Sequence, residues 1–271
     1  MPLMSWRRRL TESRSRCDRR GWPDVADGTL SNVGVSALQA TAGMAADAAG
    51  LRKEPPMLFN DRTDAGRKLA QALERYKNDH VVVLALPRGG VQVATEIARY
   101  LDAPLDLLLV RKIGVPMHPE LAMGAIVDGL EPIVVRNEHV VRLAGVTESL
   151  FEDTQRREWE EIERRRRRYL GLSPHQEVFG RIVVIVDDGI ATGATMMAAI
   201  RALRQRKPSK IVVAVPVAPL EALAQLNQAA DETVCLSTPA FFEAIGAYYQ
   251  DFRQLSDDDV IALIQSVPAR P

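Results

Sequence analysis

The sequence predicts an α/β fold in which a doubly wound, mainly parallel sheet carries helices on both faces. The first observation is a set of short, almost wholly apolar runs at 81–86, 105–110, 182–186 and 211–217, rich in Val, Ile and Leu. Strands buried on both faces need that continuity, whereas half-exposed strands alternate. The second is that helix-period segments at 91–101 and 196–206 fall between these runs, the order that links parallel strands. The third is that two of the runs end in glycine-rich turns, at 86–90 and 187–195, before the next helical pattern begins.

Taken in order, residues 1–56 break this pattern. Arg7, Arg8, Arg9, Arg14, Arg16, Arg19 and Arg20 precede a Gly/Ala/Ser/Thr-rich stretch without a clean period. Such a segment lacks the apolar area to offset its ordering entropy and is expected to be a disordered N-terminal extension. The domain is expected over 57–271. Ala65, Leu69, Leu73 and Tyr76 share one helical face behind Asp61 or Thr63 as N-cap. After the run at 105–110, residues 122–127, the turn pair Asp128-Gly129 and residues 132–135 predict a hairpin. A charged helix over 147–169 follows, with Leu150, Phe151, Trp159, Ile162 and Tyr169 as a narrow apolar stripe. Arg164 to Arg168 point all round it and read as a solvated helix end rather than as a polyphosphate or RNA site.

Composition narrows the function. The chain has 271 residues, 46% of them hydrophobic, and a formal net charge of zero. No global field favours nucleic acid or an acidic membrane, so an anion site must be local. The two cysteines, Cys17 and Cys235, do not make a disulfide framework. The roughly 20 apolar residues of a membrane helix are nowhere consecutive. A cytoplasmic protein without membrane or nucleic-acid partners is expected, with a homodimer as an open possibility for its assembly.

The chemistry concentrates at 182–195, where an apolar strand ends in Asp187 and Asp188 and runs through Gly189, Ile190, Ala191, Thr192, Gly193, Ala194 and Thr195 into a helix. Backbone N–H groups at a tight turn and helix N-terminus attract an anion, and small residues let a phosphate approach them. The Thr192 and Thr195 hydroxyls add donors. Adjacent carboxylates at the strand end can accept from the two cis hydroxyls of a ribose. No lysine follows the glycine as in nucleotide hydrolases, and the dinucleotide fingerprint is absent.

This segment resembles the signature of the type I phosphoribosyltransferases: an apolar strand, two acidic residues and a T-G-x-T/S loop. The resemblance implies the type I phosphoribosyltransferase fold, with a flap hairpin and a small C-terminal hood. It also implies that Asp187 and Asp188 hold the ribose hydroxyls of phosphoribosyl pyrophosphate (PRPP), and that Ala191 to Thr195, with Gly189, hold its 5-phosphate. Upstream, Arg88, Gly89 and Gly90 form a second strand, turn and helix junction, similar to the family's pyrophosphate loop. The stretch 113–120 contains Gly114, Pro116 and Pro119, residues that resist regular structure. It resembles the family's mobile flap, to which Lys112 would bring charge and Glu120 a carboxylate. His118 with Glu120 is too sparse to be a metal site.

Phe241, Phe242, Tyr248, Tyr249 and Phe252 form the densest aromatic cluster in a chain that is 5% aromatic. Its spacing is similar to the hood of hypoxanthine-guanine phosphoribosyltransferases, which implies Phe242 over the base and Asp251 at a magnesium ion. Two departures stand against a purine acceptor. Ala191 occupies the loop position where those enzymes carry a carboxylate, and Pro216 and Pro219 replace their base-reading lysine region. From 59 to about 267 the order of motifs is most similar to bacterial phosphoribosyltransferases whose acceptor is unassigned. The resemblance therefore implies transfer from PRPP to a nitrogenous base with Mg²⁺, as a step of nucleotide metabolism, and leaves a purine-like base open as one acceptor. The alternative it leaves open is a regulator that binds PRPP without turnover.

Overall fold

The computed structural model describes residues 59–129 and 131–268. The arginine-rich extension over 1–56 and Cys17 lie outside the described residues.

The central sheet runs in the order β2-β1-β6-β7-β8: Leu105–Leu107, Val81–Ala85, Ile182–Val186, Lys210–Val217 and Glu232–Ser237. Every pairing is parallel. The apolar continuity of the strands follows from the two cores they separate. Val81, Val83, Ala85, Val184, Val186, Val212 and Ala214 face one core. Their immediate neighbours Val82, Leu84, Val183, Ile185, Ile211, Val213 and Val215 face the other. Successive side chains of a strand point to opposite faces, so both sets must be apolar.

Helix α1 (Arg62–Ala72) begins at the N-cap Asp61, whose side chain accepts from the Asp64 N–H. With α2 (Gly89–Leu101) it covers the first face through Leu69, Val91, Val93 and Ile97. α5 (Ala194–Gln205) covers the second through Met196, Ile200 and Leu203. α6 (Leu220–Ala229) joins it there through Ala222 and Leu226. α2 leads from β1 to β2, while α5 leads from β6 to β7 on the other face. The winding therefore reverses between β1 and β6. In open α/β sheets the crevice beyond the strand ends at such a reversal is where ligands bind.

The run at 105–110 does not stay in one sheet. β2 ends at Leu107, and Val110 opens β3 (Val110–Val115) of a separate antiparallel sheet with β4 (His118–Val127) and β5 (Ile133–Arg136). Asp128 holds the junction: its backbone N–H donates to the Leu109 carbonyl at 2.9 Å and its carboxylate accepts from the Leu109 N–H at 2.7 Å. The segment 113–120, expected to avoid regular structure, is instead a paired hairpin in which Val115 faces His118. Register shifts beside Gly114 absorb the misfit, and a Cβ at Gly114 would lie 2.6 Å from the Pro119 carbonyl oxygen. The bulge and the missing side chain are how these residues enter a ladder. β4 and β5, on either side of Asp128 and Gly129, pair antiparallel as the expected hairpin requires.

After the short α3 (Glu138–Leu143), the charged helix is α4 (Glu148–Leu170), capped by Thr147. Phe151, Ile162 and Tyr169 of the predicted stripe are buried, whereas Leu150 is exposed. The arginine run is not a uniform solvated end. Arg166 turns inward to Asp128 at 3.2 Å and Asp106 at 3.5 Å, while Arg168 meets Asp257 at 3.1 Å. Asp257 opens the last helix, α7 (Asp257–Gln265), behind a Ser256 capping box. No helix of the described residues is long and apolar enough to cross a membrane.

Candidate functional site

Helix capping singles out one edge of the molecule. Asp61, Asn137, Thr147 and Ser256 accept from backbone N–H groups at the starts of α1, α3, α4 and α7. α2, α5 and α6 have no side-chain cap. These are the helices that follow β1, β6 and β7, so their first-turn donors open at the carboxyl edge of three neighbouring strands. Uncapped N–H groups and the positive end of the helix dipole make such an edge an anion site.

The loop after β6 presents its small residues to solvent. Ala191, Thr192, Ala194 and Thr195 are exposed, and Gly193 takes φ +75° as the N-cap of α5. A Cβ at Gly189 would stand 2.6 Å from Ile245 Cγ2, so glycine here lets the hood approach the acidic pair. Gly89 and Gly90 begin α2 behind the cis Pro87-Arg88 peptide. They are glycine for a related reason. A Cβ at Gly89 would overlap the Asp188 carboxylate, and one at Gly90 would lie 2.7 Å from the Val186 carbonyl oxygen and 2.9 Å from Asp187 Cα. The 86–90 and 187–195 turns, about 100 residues apart, thus meet across the β1–β6 reversal. The close approach is possible only without side chains.

Asp187 and Asp188 lie at that contact. The Asp188 N–H donates to Asp187 Oδ1 at 2.9 Å. Burial, and next the adjacent Asp188 carboxylate, push Asp187 well above the ordinary carboxylate range, with Arg62 opposing the rise. Asp188 is 9% exposed and has a partner that sequence reading missed. Arg62, in the first turn of α1, donates from Nε to Asp188 Oδ2 at 2.7 Å. The signal was hidden because Arg62 sits between two polar capping candidates and looks like a surface residue.

Rings of the aromatic cluster pack around the 3₁₀ turn Ile245–Tyr248. Phe242 stacks on Tyr248 with ring centroids 5.7 Å apart. The Tyr249 hydroxyl donates to the Asp188 carbonyl at 2.5 Å. Burial first, and Asp188 second, raise the Tyr249 pKa, which keeps it a donor. Asp251 is exposed, and its Oδ1 accepts from the Arg253 N–H at 3.1 Å.

The other predicted residues are more loosely gathered. The Arg88 guanidinium lies 4.0 Å from Asp257, on the α7 side of its turn. Lys112 pairs with Glu120 across the β3–β4 hairpin at 3.2 Å, and the Glu120 side chain is 98% exposed. His118 is likewise exposed, and the described residues contain no group of three His, Cys, Asp or Glu side chains that could hold a metal ion.

Comparisons with known proteins point to one family. A family model for the phosphoribosyl transferase domain matches residues 60–252. A Mycobacterium tuberculosis protein provisionally named as a phosphoribosyl transferase, Rv0571c in strain H37Rv and MT0597 in strain CDC 1551, is 49% identical over 207 residues. That match covers 76% of this chain and 46% of the relative, so the chain spans less than half the length of the curated relatives it matches. The crystal structure of TT1426 from Thermus thermophilus superposes with a TM-score of 0.69 at 44% identity, covering 78% of this chain and 99% of that one.

Proposed function

This chain belongs to the phosphoribosyl transferase family, and we propose that it transfers the phosphoribosyl group of PRPP to a nitrogenous base. A base nitrogen would form a bond to the ribose anomeric carbon as the bond from that carbon to the pyrophosphate oxygen breaks. The observation that carries this reading is the meeting of two uncapped helix N-termini around an acidic pair at the sheet's reversal point. A sugar carrying phosphate at one end and pyrophosphate at the other presents the complementary groups.

In this reading the Thr192 and Thr195 hydroxyls and the N–H groups of 191–195 bind the 5-phosphate. Gly89, Gly90 and the start of α2 bind the pyrophosphate, with Arg88 swinging from Asp257 to add charge. Asp187 accepts from the ribose hydroxyls. Phe242, already packed on Tyr248, offers a ring to the base. Lys112 and Glu120 lie on an exposed hairpin that can close over the crevice and exclude water from the electrophilic sugar centre. Asp251 fits a magnesium ion that arrives with phosphate, because Mg²⁺ is commonly held by one or two carboxylates plus substrate oxygens rather than by an all-protein cage. When bound, the ion neutralises the charge that develops on the departing pyrophosphate.

A second reading, PRPP binding without turnover, is favoured by Ala191, which cannot take the proton that the attacking base loses. One experiment separates the two: the full chain is incubated with labelled PRPP, Mg²⁺ and a panel of purine, pyrimidine and simpler nitrogenous bases. Pyrophosphate release with one of them supports transfer. Tight binding with no release from any base supports the regulator, and no binding removes both. Asp187→Asn is the control, expected to abolish binding while leaving the Arg62–Asp188 pair in place.

A further inference from the structure

We infer that Arg62 is a positioning residue that locks the aromatic hood to the acidic pair, so that Asp188 acts as a brace and Asp187 as the ribose acceptor. The inference rests on the functional reading above for its ligand, although not for its geometry.

Arg62 is 6% exposed, unusual for an arginine in the first turn of a helix. Its guanidinium is engaged at two nitrogens and on its flat face. Nε donates to Asp188 Oδ2 at 2.7 Å and Nη1 to the Arg253 carbonyl at 2.9 Å. The Phe252 ring centroid lies 3.8 Å from Cζ, and that of Tyr249 lies 6.0 Å away. One side chain therefore joins the strand end to the polypeptide that returns over it.

The same two partners are linked by a second route. The Tyr249 hydroxyl donates to the Asp188 carbonyl, and the Tyr249 ring packs against Phe252 at 4.9 Å and Phe59 at 5.3 Å. Backbone bonds from Gln250 to Phe59 at 2.8 Å and from Asp251 to Asn60 at 2.9 Å fasten the hood to the residues just before Arg62. Asp188 is thus the point where the hood and the start of α1 converge on the β6 end.

This arrangement divides the carboxylates. Asp188 Oδ2 is committed to Arg62 and faces Gly89 so closely that a Cβ there would overlap it, which leaves little room for a sugar hydroxyl. Among the described residues no cation pairs with Asp187, which is half-buried beside Gly90. Two adjacent carboxylates repel one another, and a fixed cation behind one of them lets the other face a ligand. An arginine suits the task because its planar fork can donate to two acceptors while its face stacks on a ring, which a lysine cannot do. A displacement that needs sugar and base in one line gains from holding the base cover and the ribose support as a single unit.

The test is a cycle of Arg62→Met, Asp188→Asn and their combination in the full chain, with PRPP affinity read by calorimetry and hydrogen exchange read at the Gln250 and Asp251 amides. We expect each single change to weaken PRPP binding by about tenfold or more, and the double variant to match Asp188→Asn within about twofold, since coupled residues are non-additive. Losses that multiply in the double variant would overturn the inference. Should Arg62→Met fail to fold, Arg62→Lys replaces it in both backgrounds under the same criterion. Wild-type protein that does not bind PRPP would refute the functional reading alone, and exchange then decides. Faster exchange at both hood amides in Arg62→Met and in Asp188→Asn supports the lock, whereas hood amides unmoved by Asp188→Asn overturn it.

Discussion

Gly90→Ala asks whether the two glycine turns must touch. Gly90 is the second residue of α2, where alanine is ordinarily preferred over glycine by about 0.5–1 kcal/mol. Against that gain, the new Cβ would lie 2.7 Å from the Val186 carbonyl oxygen and 2.9 Å from Asp187 Cα. These are backbone atoms, and the Val186 carbonyl already accepts from the Leu86 N–H at 2.9 Å. They can yield only by opening the β1–β6 edge. Overpacking of this kind costs about 1–3 kcal/mol, and a weakened backbone hydrogen bond adds about 1 kcal/mol. The clash therefore outweighs the propensity gain, leaving a net loss of about 1–3 kcal/mol. For a domain of this size that lowers Tm by about 2–12 °C. Because the displaced atoms carry Asp187, PRPP affinity should also fall by about tenfold or more, as small misplacements of a binding group do. Gly180→Ala is the comparison: φ is +68° there but nothing lies within 4 Å of the added Cβ. It should lose about 1–2 kcal/mol through conformation and no affinity. Differential scanning calorimetry and isothermal titration supply both numbers. A Gly90→Ala protein with unchanged Tm and unchanged affinity would refute the close-approach reasoning.

Thr192→Val should weaken PRPP binding by about 1 kcal/mol or more through loss of a donor to a charged acceptor. Thr154→Val, which removes a hydroxyl bonded to the Leu150 carbonyl on α4, should leave binding unchanged in the same titration. Glu120→Gln should lower turnover by about tenfold or more near neutral pH while PRPP affinity stays within about twofold, the signature of a group acting on the base. Equal losses would make Glu120 a residue that merely positions the hairpin. Burial, outweighing Arg166, raises the Asp128 carboxyl to about 7. Its folded pKa exceeds the unfolded value, so the fold binds the extra proton. Its contribution to stability is full below about pH 4 and is lost as pH rises toward 7. Urea unfolding across that window should show a decline that Asp128→Asn flattens, and identical slopes would contradict the assignment.

Features that depend on neighbouring residues were legible in the chain before any fold was known. β6 must be apolar at every position because both of its faces are covered, and the small residues at 189–195 reveal a turn made for close approach. Asp61 announces its helix because a cap bonds only two or three residues onward. The hairpin at 113–120 was less legible, since Gly114, Pro116 and Pro119 oppose a ladder locally and enter one only through a bulge that β4 accommodates. The rest of the site came from tertiary contacts alone. Nothing near Gly90 in the chain shows that Val186 and Asp187 will lie against it. Nothing near Arg62 shows that a carboxylate 126 residues away and the carbonyl of Arg253 will bury it. Buried charge is stable only where its partners converge, and here they converge because the chain returns at 248–253 to cover the end of a strand laid down much earlier.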